Sequence, residues 1–312
     1  MDNKRTVYLI AGPTAVGKSD IAYELAKKID GEIINCDSVQ LYKYMDIGSA
    51  KPDSEKMDMV KHHLYSIIEP DYYMTASTYQ QLALACIDNV LARGKTPIVV
   101  GGTGLYLNSI LYDMDFAGEK KDDGTRRKEL EQMAEENGSE YMHQYLSAMH
   151  PESAERIHPN NTRKIIRAIE AFEEGDGIRP LDECPLNDKY DFRLYIINMD
   201  REELYKRIND RVDKLLEMGL LKEAEDLRNR GYSTSLSSMK AIGYKELFDY
   251  LDENIDYETA VENIKKDTRH YAKRQTTWFK RYDFANNIEI SESDTPASVT
   301  RMIINAILES EE

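Results

Sequence analysis

The chain has 312 residues, of which 41% are hydrophobic and 31% are charged, a composition typical of a folded globular protein. Its 41 basic and 57 acidic side chains give a formal net charge of −16, which argues against a nucleic-acid partner unless positive charge is concentrated locally. No apolar run approaches the roughly 20 residues of a membrane-spanning helix. No signal peptide is visible, and the three cysteines form no CxxC pair. We therefore expect a cytoplasmic protein with no membrane segment, disulfide scaffold or zinc site.

Three short apolar segments in the N-terminal part of the chain have the composition of strands. They cover residues 6–11, 32–36 and 97–102, and segments with helical spacing separate them. The segment at 97–102 is apolar without alternation, which is typical of a parallel strand that is covered on both faces. Strands that alternate with helices predict right-handed βαβ units, so we expect a doubly wound parallel sheet.

The loop after the first predicted strand matches the phosphate-binding pattern G-x-x-x-x-G-K-[ST]. Its glycines let the backbone wrap around an anion, and the N–H groups at the start of the next helix favour negative charge. Lys18 supplies a positive charge to phosphate oxygens, and the Ser19 hydroxyl can hold Mg²⁺. The pattern therefore predicts a polyphosphate ligand. The residues of the motif are Gly12, Pro13, Thr14, Ala15, Val16, Gly17, Lys18 and Ser19.

The second predicted strand ends at an acidic residue, Asp37. A P-loop ATPase or kinase would carry a carboxylate at the end of another apolar strand, but the segment at 97–102 runs into Thr103 and Gly104 instead. The carboxyl ends of parallel strands converge on the ligand crevice. Asp37 is therefore interpreted as a metal ligand or a general base beside the phosphate loop.

A longer helix is predicted over residues 76–92. Leu82, Cys86 and Val90 recur at a spacing of four residues, so we expect them on its buried face. Gly94 follows where helices commonly end in left-handed backbone, and we expect it to terminate this helix.

The alternation of strands and helices stops near residue 115, and helical periodicity dominates from there to 186. Strand character returns at 192–198. We therefore predict an α/β fold, with a P-loop NTPase-like parallel sheet flanked by helices and an all-helical insertion. The expected domains are a catalytic core of residues 1–117 and 187–312, whose C-terminal part is helical, and a helical insertion of residues 118–186.

Positive charge is concentrated in a few windows of this acidic chain. Residues 265–282 carry seven basic side chains and one acidic one, and aromatic residues lie between them, a composition that RNA-binding segments use. A second cluster lies at 156–167 and a third at 126–128. For the third, intrahelical ion pairs and RNA binding explain the charges equally well. The pair His62–His63 is interpreted as structural.

Several segments together resemble the tRNA dimethylallyltransferase family. The resemblance spans roughly residues 7 to 282, and the chain has no Cys/His pairs beyond it, as in the bacterial-type members without a C-terminal zinc finger. The segments are residues 12–19, 37–42, 45–52, 100–106, 156–161, 167–170, 243–245 and 273–279.

The resemblance implies that a prenyl group moves from dimethylallyl diphosphate to N6 of the adenine just 3′ of the anticodon in tRNA. It implies that Asp37 accepts the N6 proton, and that Thr103 and Arg211 stabilise the diphosphate with Mg²⁺. From its surroundings in the sequence alone, Arg211 would be a solvated helix residue. The implied partners are the tRNA anticodon stem-loop and dimethylallyl diphosphate, and we expect a monomer.

The residues that the resemblance places against tRNA, with the helical insertion as a further contact region, are Asp37, Ser38, Val39, Gln40, Thr103, Arg127, Arg163, Lys164, Arg167, Lys240, Gly243, Tyr244, Lys245, Lys273, Arg274, Gln275 and Trp278. For Trp278 two roles remain possible, stacking on RNA bases and packing in the core.

Three alternatives remain at this point. An adenylate prenyltransferase would act on free nucleotides and would not need the helical insertion or the basic windows. A P-loop kinase for a small metabolite would turn over ATP without tRNA. A non-catalytic RNA-binding protein with a remnant diphosphate pocket would not need to keep Asp37, Lys18 and Thr103.

Overall fold

The computed structural model describes residues 5–114, 116, 125–173 and 181–309. The chain divides into two compact units. The sheet unit consists of Met1–Leu111 and Asn187–Glu312, and the helical unit consists of Tyr112–Leu186. None of the described helices combines the length and the apolar character that crossing a membrane requires.

Every strand pair of the sheet unit is parallel, and the order is β3-β2-β4-β1-β5-β6. This confirms the predicted α/β fold. The two edge strands, β3 and β6, were not predicted, because one is only two residues long and the other is mostly polar. The strands are β1 (Arg5–Ala11), β2 (Gly31–Asn35), β3 (His62–His63), β4 (Thr96–Gly101), β5 (Tyr190–Met199) and β6 (Asn286–Ile290).

The helices of the described residues are α1 (Lys18–Ile29), α2 (Ser54–Met59), α3 (Ala76–Ala92), α4 (Gly104–Leu111), α5 (Thr125–Met149), α6 (Pro151–Arg156), α7 (Thr162–Glu173), α8 (Arg201–Glu217), α9 (Leu220–Asn229), α10 (Tyr244–Leu251), α11 (Tyr257–Phe279) and α12 (Pro296–Glu309). In the sheet unit they provide the crossovers between parallel strands.

Helix α3 has the predicted bounds, but its predicted buried face is only partly right, since Val90 is buried as predicted and Cys86 is half-buried. Tyr79, Ala83, Ile87 and Val90 are fully buried, whereas Leu82 is 37% exposed. The apolar positions of α3 fit more than one helical stripe, and the packing against β2, β4 and α4 selects the stripe that contains Tyr79. The end of the helix is as predicted, since Gly94 has a φ of 72° just beyond the last turn.

The centre of the sheet is apolar on both faces, as a parallel sheet with helices on both sides requires. Val7 and Leu9 in β1 are fully buried, and Ile10 is 1% exposed. One cluster of buried side chains joins β1, β2, β4 and β5 to α1, α8 and α12. Each fully buried aliphatic side chain stabilises the fold by about 1.5–3 kcal/mol, so this cluster fixes where each strand ends.

The helical unit has a small core of its own. Leu130, Met142, Leu146, Ile165 and Ile169 are all fully buried in it. Helix α5 is interrupted at Gly138, whose backbone is not helical. No described residue of this unit belongs to a strand of the sheet.

Candidate active site

Three loops follow the carboxyl ends of three neighbouring strands. The P-loop (residues 12–17) follows β1, the β2 loop (residues 36–53) follows β2, and the β4 turn (residues 102–103) follows β4. Because β2, β4 and β1 are adjacent in the sheet, the three loops meet at one edge. This edge is where open α/β sheets bind ligands.

The P-loop wraps tightly at the end of β1. The Gly12 backbone is so close to the Ile197 carbonyl of β5 that a Cβ atom would overlap it, which explains why glycine is required at this position. Gly17, with a φ of 98°, leads into α1. Lys18 is the first residue of α1, and its Nζ donates a hydrogen bond to the Pro13 carbonyl at 2.7 Å. The loop thus presents a lysine and a helix N-terminus to the same region.

Lys18, Arg211 and Asp37 share one electrostatic environment. Burial lowers the pKa of the Lys18 ammonium to about 8, Asp37 opposes this shift, and Arg211 adds to it. Burial also lowers the pKa of the Arg211 guanidinium, again against the effect of Asp37. The positive charge of Arg211 therefore acts on Lys18 beside Asp37, and the binding of a further anion would relieve this repulsion. Arg211 in α8 therefore lies at the site and not on a solvated helix face.

The Asp37 carboxylate is held by the backbone of its own loop. Its Oδ1 accepts hydrogen bonds from the N–H groups of Val39 at 2.9 Å and Gln40 at 3.4 Å. Asn35 is fully buried, and its side chain bonds both the N–H and the carbonyl of Asp37. Oδ2 accepts no hydrogen bond from the described part of the chain. The carboxylate is therefore fixed in orientation and keeps one oxygen for a substrate. Sequence reasoning missed Asn35.

The β4 turn is bonded directly to the β2 loop. Thr103 Oγ1 accepts a hydrogen bond from the Ser38 N–H at 3.0 Å and donates one to Ser38 Oγ at 3.3 Å. The Thr103 N–H donates to the Cys36 carbonyl at 3.2 Å. Thr103 thus ties together two of the three loops.

Two predicted tRNA contacts in α11 lie against the loops. Gln275 is 5% exposed, and its side chain accepts a hydrogen bond from the Thr14 N–H at 2.8 Å and donates one to the Gly102 carbonyl at 2.9 Å. The Trp278 indole packs against Gly104, and its N–H is buried without a partner among the described residues. In this structure Gln275 positions the P-loop and the β4 turn, and the Trp278 ring lies against protein.

The other residues of the sheet unit that were predicted to contact tRNA are partly buried and partly exposed. Gln40 is 8% exposed and donates to the carbonyls of Ser49 at 3.0 Å and Ala50 at 3.3 Å. Val39 is half-buried and packs in the apolar cluster of α8, α9 and α10. In the segment before and at the start of α10, Gly243 and Tyr244 are buried, whereas Lys240 and Lys245 are exposed.

The C-terminal half of α11 carries exposed cations. Lys273 and Arg274 are both exposed, and neither forms an ion pair with a described residue. The Arg274 guanidinium lies 5.7 Å from the ring of Tyr271, and that of Arg281 lies 3.8 Å from the ring of Trp278. Cations next to aromatic rings without acidic partners form a surface that can bind the phosphates of RNA.

The arginines of the helical unit are mostly paired. Arg127 makes two hydrogen bonds to the Glu170 carboxylate, at 2.9 and 2.6 Å. Arg167 lies 3.9 Å from the same carboxylate. Arg163 and Lys164, near the start of α7, are exposed.

Two further features have structural roles. His63 lies in the short edge strand β3 and bonds the buried Glu32 carboxylate at 2.6 Å, and no described cluster of acidic, His and Cys residues could hold a metal ion. The contact with Glu32 is consistent with a structural role for His63. Burial raises the pKa of the Cys36 thiol to about 12, which keeps it protonated and unreactive.

Comparison with known proteins gives one consistent result for most of the chain. The family model described as IPP transferase matches residues 40–282. A curated tRNA dimethylallyltransferase of Exiguobacterium sp. is 49% identical over 277 residues and covers 89% of this chain and 88% of its own. The tRNA dimethylallyltransferase of Acetivibrio thermocellus is 45% identical and covers 96% of each chain.

Solved structures give the same picture. The tRNA isopentenylpyrophosphate transferase of Bacillus halodurans has 38% identity and a TM-score of 0.72, over 99% of this chain and 98% of that one. A eukaryotic dimethylallyltransferase acting on tRNA has 28% identity and a TM-score of 0.83, over 99% of this chain and 80% of that one.

Proposed function

This chain belongs to the IPP transferase family, and on that premise we propose that it transfers the dimethylallyl group of dimethylallyl diphosphate to N6 of the adenine 3′ of the anticodon in tRNA. The observation that carries the proposal is the meeting of three loops at one sheet edge. They bring a carboxylate of fixed orientation, Asp37, into the electrostatic environment of two half-buried cations, Lys18 and Arg211. This combination suits an amine acceptor that loses a proton and a diphosphate that leaves.

The donor binds with its diphosphate at the P-loop. As the bond between N6 and the allylic carbon forms and the carbon–oxygen bond breaks, negative charge accumulates on the departing diphosphate. Lys18, Arg211 and the N–H groups at the start of α1 are aimed at that charge and stabilise it. Arginine suits this role because its guanidinium bonds two phosphate oxygens at once.

Asp37 takes the proton that N6 loses. The exocyclic amine of adenine is a poor nucleophile, so a base within hydrogen-bond reach lowers the barrier. The two loop N–H groups on Oδ1 keep the other oxygen, Oδ2, available for the amine. Thr103 holds the β2 loop against the β4 turn and so supports this geometry.

The residues of the P-loop fit a Mg²⁺ ion. Ser19, in the first turn of α1, is exposed, and its hydroxyl has no hydrogen-bond partner in the described residues. Magnesium keeps several waters and typically takes few protein ligands beside phosphate oxygens, so a single hydroxyl suffices. We propose that Ser19 holds the ion, which when bound neutralises charge on the diphosphate.

The tRNA contacts fall into exposed and buried groups. Lys273 and Arg274 on α11 and Lys240 and Lys245 near α10 are exposed and suit the phosphates of the anticodon stem-loop. We propose the same role for the exposed Arg163 and Lys164 of the helical unit, and assign Arg127 and Arg167 to support of that surface. Asp37, Ser38, Val39 and Gln40 receive the extruded adenine. We also propose a cytoplasmic location, which the free thiols of all three cysteines support. We propose that the protein is a monomer, and sedimentation equilibrium tests this.

A transfer assay tests the proposed function. The full chain is incubated with radiolabelled dimethylallyl diphosphate, Mg²⁺ and unmodified tRNA, and in parallel with AMP or with ATP alone. We expect label on the tRNA only. Label on AMP would favour an adenylate prenyltransferase, and ATP turnover without tRNA would favour a kinase.

The Asp37→Asn variant tests the general base. We expect the turnover rate to fall by about 10²- to 10⁴-fold, while the affinity for dimethylallyl diphosphate stays within a few-fold. Asp71→Asn removes an exposed carboxylate of the same unit and serves as the control. Retained turnover in Asp37→Asn would rule out the assigned role, and an equal loss in the control would make the effect unspecific.

A further inference from the structure

Glu223 in the first turn of α9 holds the far end of the β2 loop. Its Oε2 accepts hydrogen bonds from the N–H groups of Asp46 and Ile47, both at 2.8 Å. Its Oε1 accepts one from the Gly48 N–H at 3.0 Å and one from the Tyr244 hydroxyl at 2.7 Å. Four donors on one carboxylate make strong, charge-assisted bonds that fix both oxygens.

Tyr244 closes the same contact from α10. Its side chain is fully buried, and its hydroxyl donates a hydrogen bond to Glu223. Gly48 lies flat against the Tyr244 ring, where a Cβ would come within 2.6 Å of the ring and hydroxyl. The two side chains, which we call the Glu223–Tyr244 clamp, therefore hold three consecutive peptide groups, those of residues 46–48.

The clamped segment is the one that holds Gln40. The carbonyls of Ser49 and Ala50 accept hydrogen bonds from the Gln40 side chain. The Gln40 N–H donates in turn to the Asp37 carboxylate. Contacts therefore run without interruption from Glu223 through residues 46–50 to Gln40 and Asp37.

Apolar packing follows the same path. Val39, Tyr42, Met45 and Ile47 of the β2 loop belong to one cluster with side chains of α8, α9 and α10. Tyr42 and Met45 are 7% and 0% exposed. The β2 loop is thus a packed element whose position depends on α9 and α10, although it has no regular secondary structure over most of its length.

We propose that Glu223 and Tyr244 are positioning residues for the acceptor adenine, and that the clamp sets the place of Gln40 and Asp37 without touching substrate. The proposal rests on the proposed function for the identity of the acceptor. It also gives the buried Tyr244 a role that direct RNA contact does not explain.

The test compares Glu223→Gln with Glu225→Gln in the full chain. Glu225 lies on the same helix and is half-buried, but its carboxylate faces Lys222 at 3.6 Å and not the β2 loop. In Glu223→Gln, the side-chain NH2 group replaces an oxygen that accepts hydrogen bonds. Because it faces backbone N–H groups, which are also donors, those hydrogen bonds are lost. We expect kcat/KM for tRNA to fall by about 10- to 100-fold, with dimethylallyl diphosphate affinity unchanged. Glu225→Gln should match the wild type.

A coupling measurement separates positioning from mere support of the fold. Gln40→Ala and Glu223→Gln are combined, and kcat/KM for tRNA is measured for each variant and for both together. If the clamp acts through Gln40, the two losses are strongly non-additive. Additive losses, or a fall in dimethylallyl diphosphate affinity that parallels a loss of melting temperature, would overturn the proposal.

Two further measurements keep the test decisive. Tyr244→Phe keeps the ring in its packing and removes one hydrogen bond to Glu223. It should lower kcat/KM for tRNA by a few-fold even if Glu223→Gln folds poorly.

Hydrogen exchange tests the clamp without any substrate. In Glu223→Gln the amides of residues 38–40 should exchange faster, as well as those of 46–48, and unchanged protection at 38–40 would overturn the coupling. If the wild type transfers no label to tRNA, only the proposed function fails.

Discussion

Two arginine- and lysine-rich regions of this protein look alike in the sequence and differ in their partners. In the helical unit, Arg127 makes two hydrogen bonds to Glu170, which is 5% exposed. In α11, Lys273 and Arg274 are exposed and have no acidic partner among the described residues. The first pattern stabilises a fold, and the second leaves charge for a ligand.

The same distinction divides the basic window of α11 itself. Near its start, Lys265 lies 2.7 Å from Asp213, and Arg269 donates to Asn209 at 2.6 Å, so these side chains bind α11 to α8. Lys273 and Arg274, later in the helix, have no such contact with α8 among the described residues. Counting charges in a window therefore overestimates a binding surface, because neutralising partners come from other elements. The net charge of −16 consequently says little about whether the chain binds RNA.

The largest expected effect comes from breaking the paired region. Arg127→Ala leaves the more distant Arg167 as the cationic partner of the buried Glu170 carboxylate among the described residues, so the helical unit should lose about 2 kcal/mol of unfolding free energy. Urea unfolding, with hydrogen exchange of α7 as a local probe, measures this loss. Lys128→Ala removes an exposed neighbour as the control and should change stability by less than about 0.5 kcal/mol. Equal stability of the two variants would contradict the contrast between the regions.

Removing the exposed cations of α11 should have the opposite effect, a loss of tRNA binding without a loss of stability. Lys273→Ala combined with Arg274→Ala should leave the fold intact and weaken tRNA binding by about tenfold. The slope of the logarithm of the binding constant against the logarithm of the salt concentration should become less steep by about 1.5. Filter binding at several salt concentrations measures both quantities.

A charge-matched control uses two paired lysines. Lys189→Ala with Lys206→Ala removes the same charge from cations that contact Asp88 and Glu292. Their loss should leave the salt slope unchanged. A similar slope change in both double variants would mean that net charge, and not the α11 surface, controls binding.

The sequence predicted the fold well where hydrophobic patterns are local. The central strands and the bounds of α3 follow from composition and from Gly94, and the P-loop follows from its motif. On the buried face of α3, Val90 was predicted correctly and Leu82 was not, because Leu82 and Tyr79 are both apolar and only the packing partners decide between them. The edge strand β6 was missed because its residues are mostly polar.

The site was predictable only to the level of its motifs. Lys18 and Asp37 follow from the residues, and Arg211 entered only through the family resemblance. Gln275 bonds Thr14 across 261 positions, and Glu223 bonds Gly48 across 175, so no local pattern could reveal these contacts. For Tyr244 and Gln275, the sequence indicated importance, whereas the structure shows what each side chain holds.

Lys18 extends the comparison to a half-buried cation, whose ammonium donates a hydrogen bond to the Pro13 carbonyl and not to a carboxylate. Its pKa in the free protein is lowered by burial to about 8. The charged form binds the diphosphate, and a bound anion raises the pKa again, so affinity is full below this value and falls as pH rises through it. Between about pH 7 and about pH 9, pyrophosphate affinity should weaken by about fivefold, since Arg211 and the loop N–H groups keep their charge. Calorimetric titration across this range measures the change. The Lys18→Ala variant should bind pyrophosphate weakly at every pH, and its affinity should change less with pH. If the affinity of the wild type did not change with pH, an acidic neighbour would be pairing with Lys18 and keeping it charged, as Glu170 pairs with Arg127.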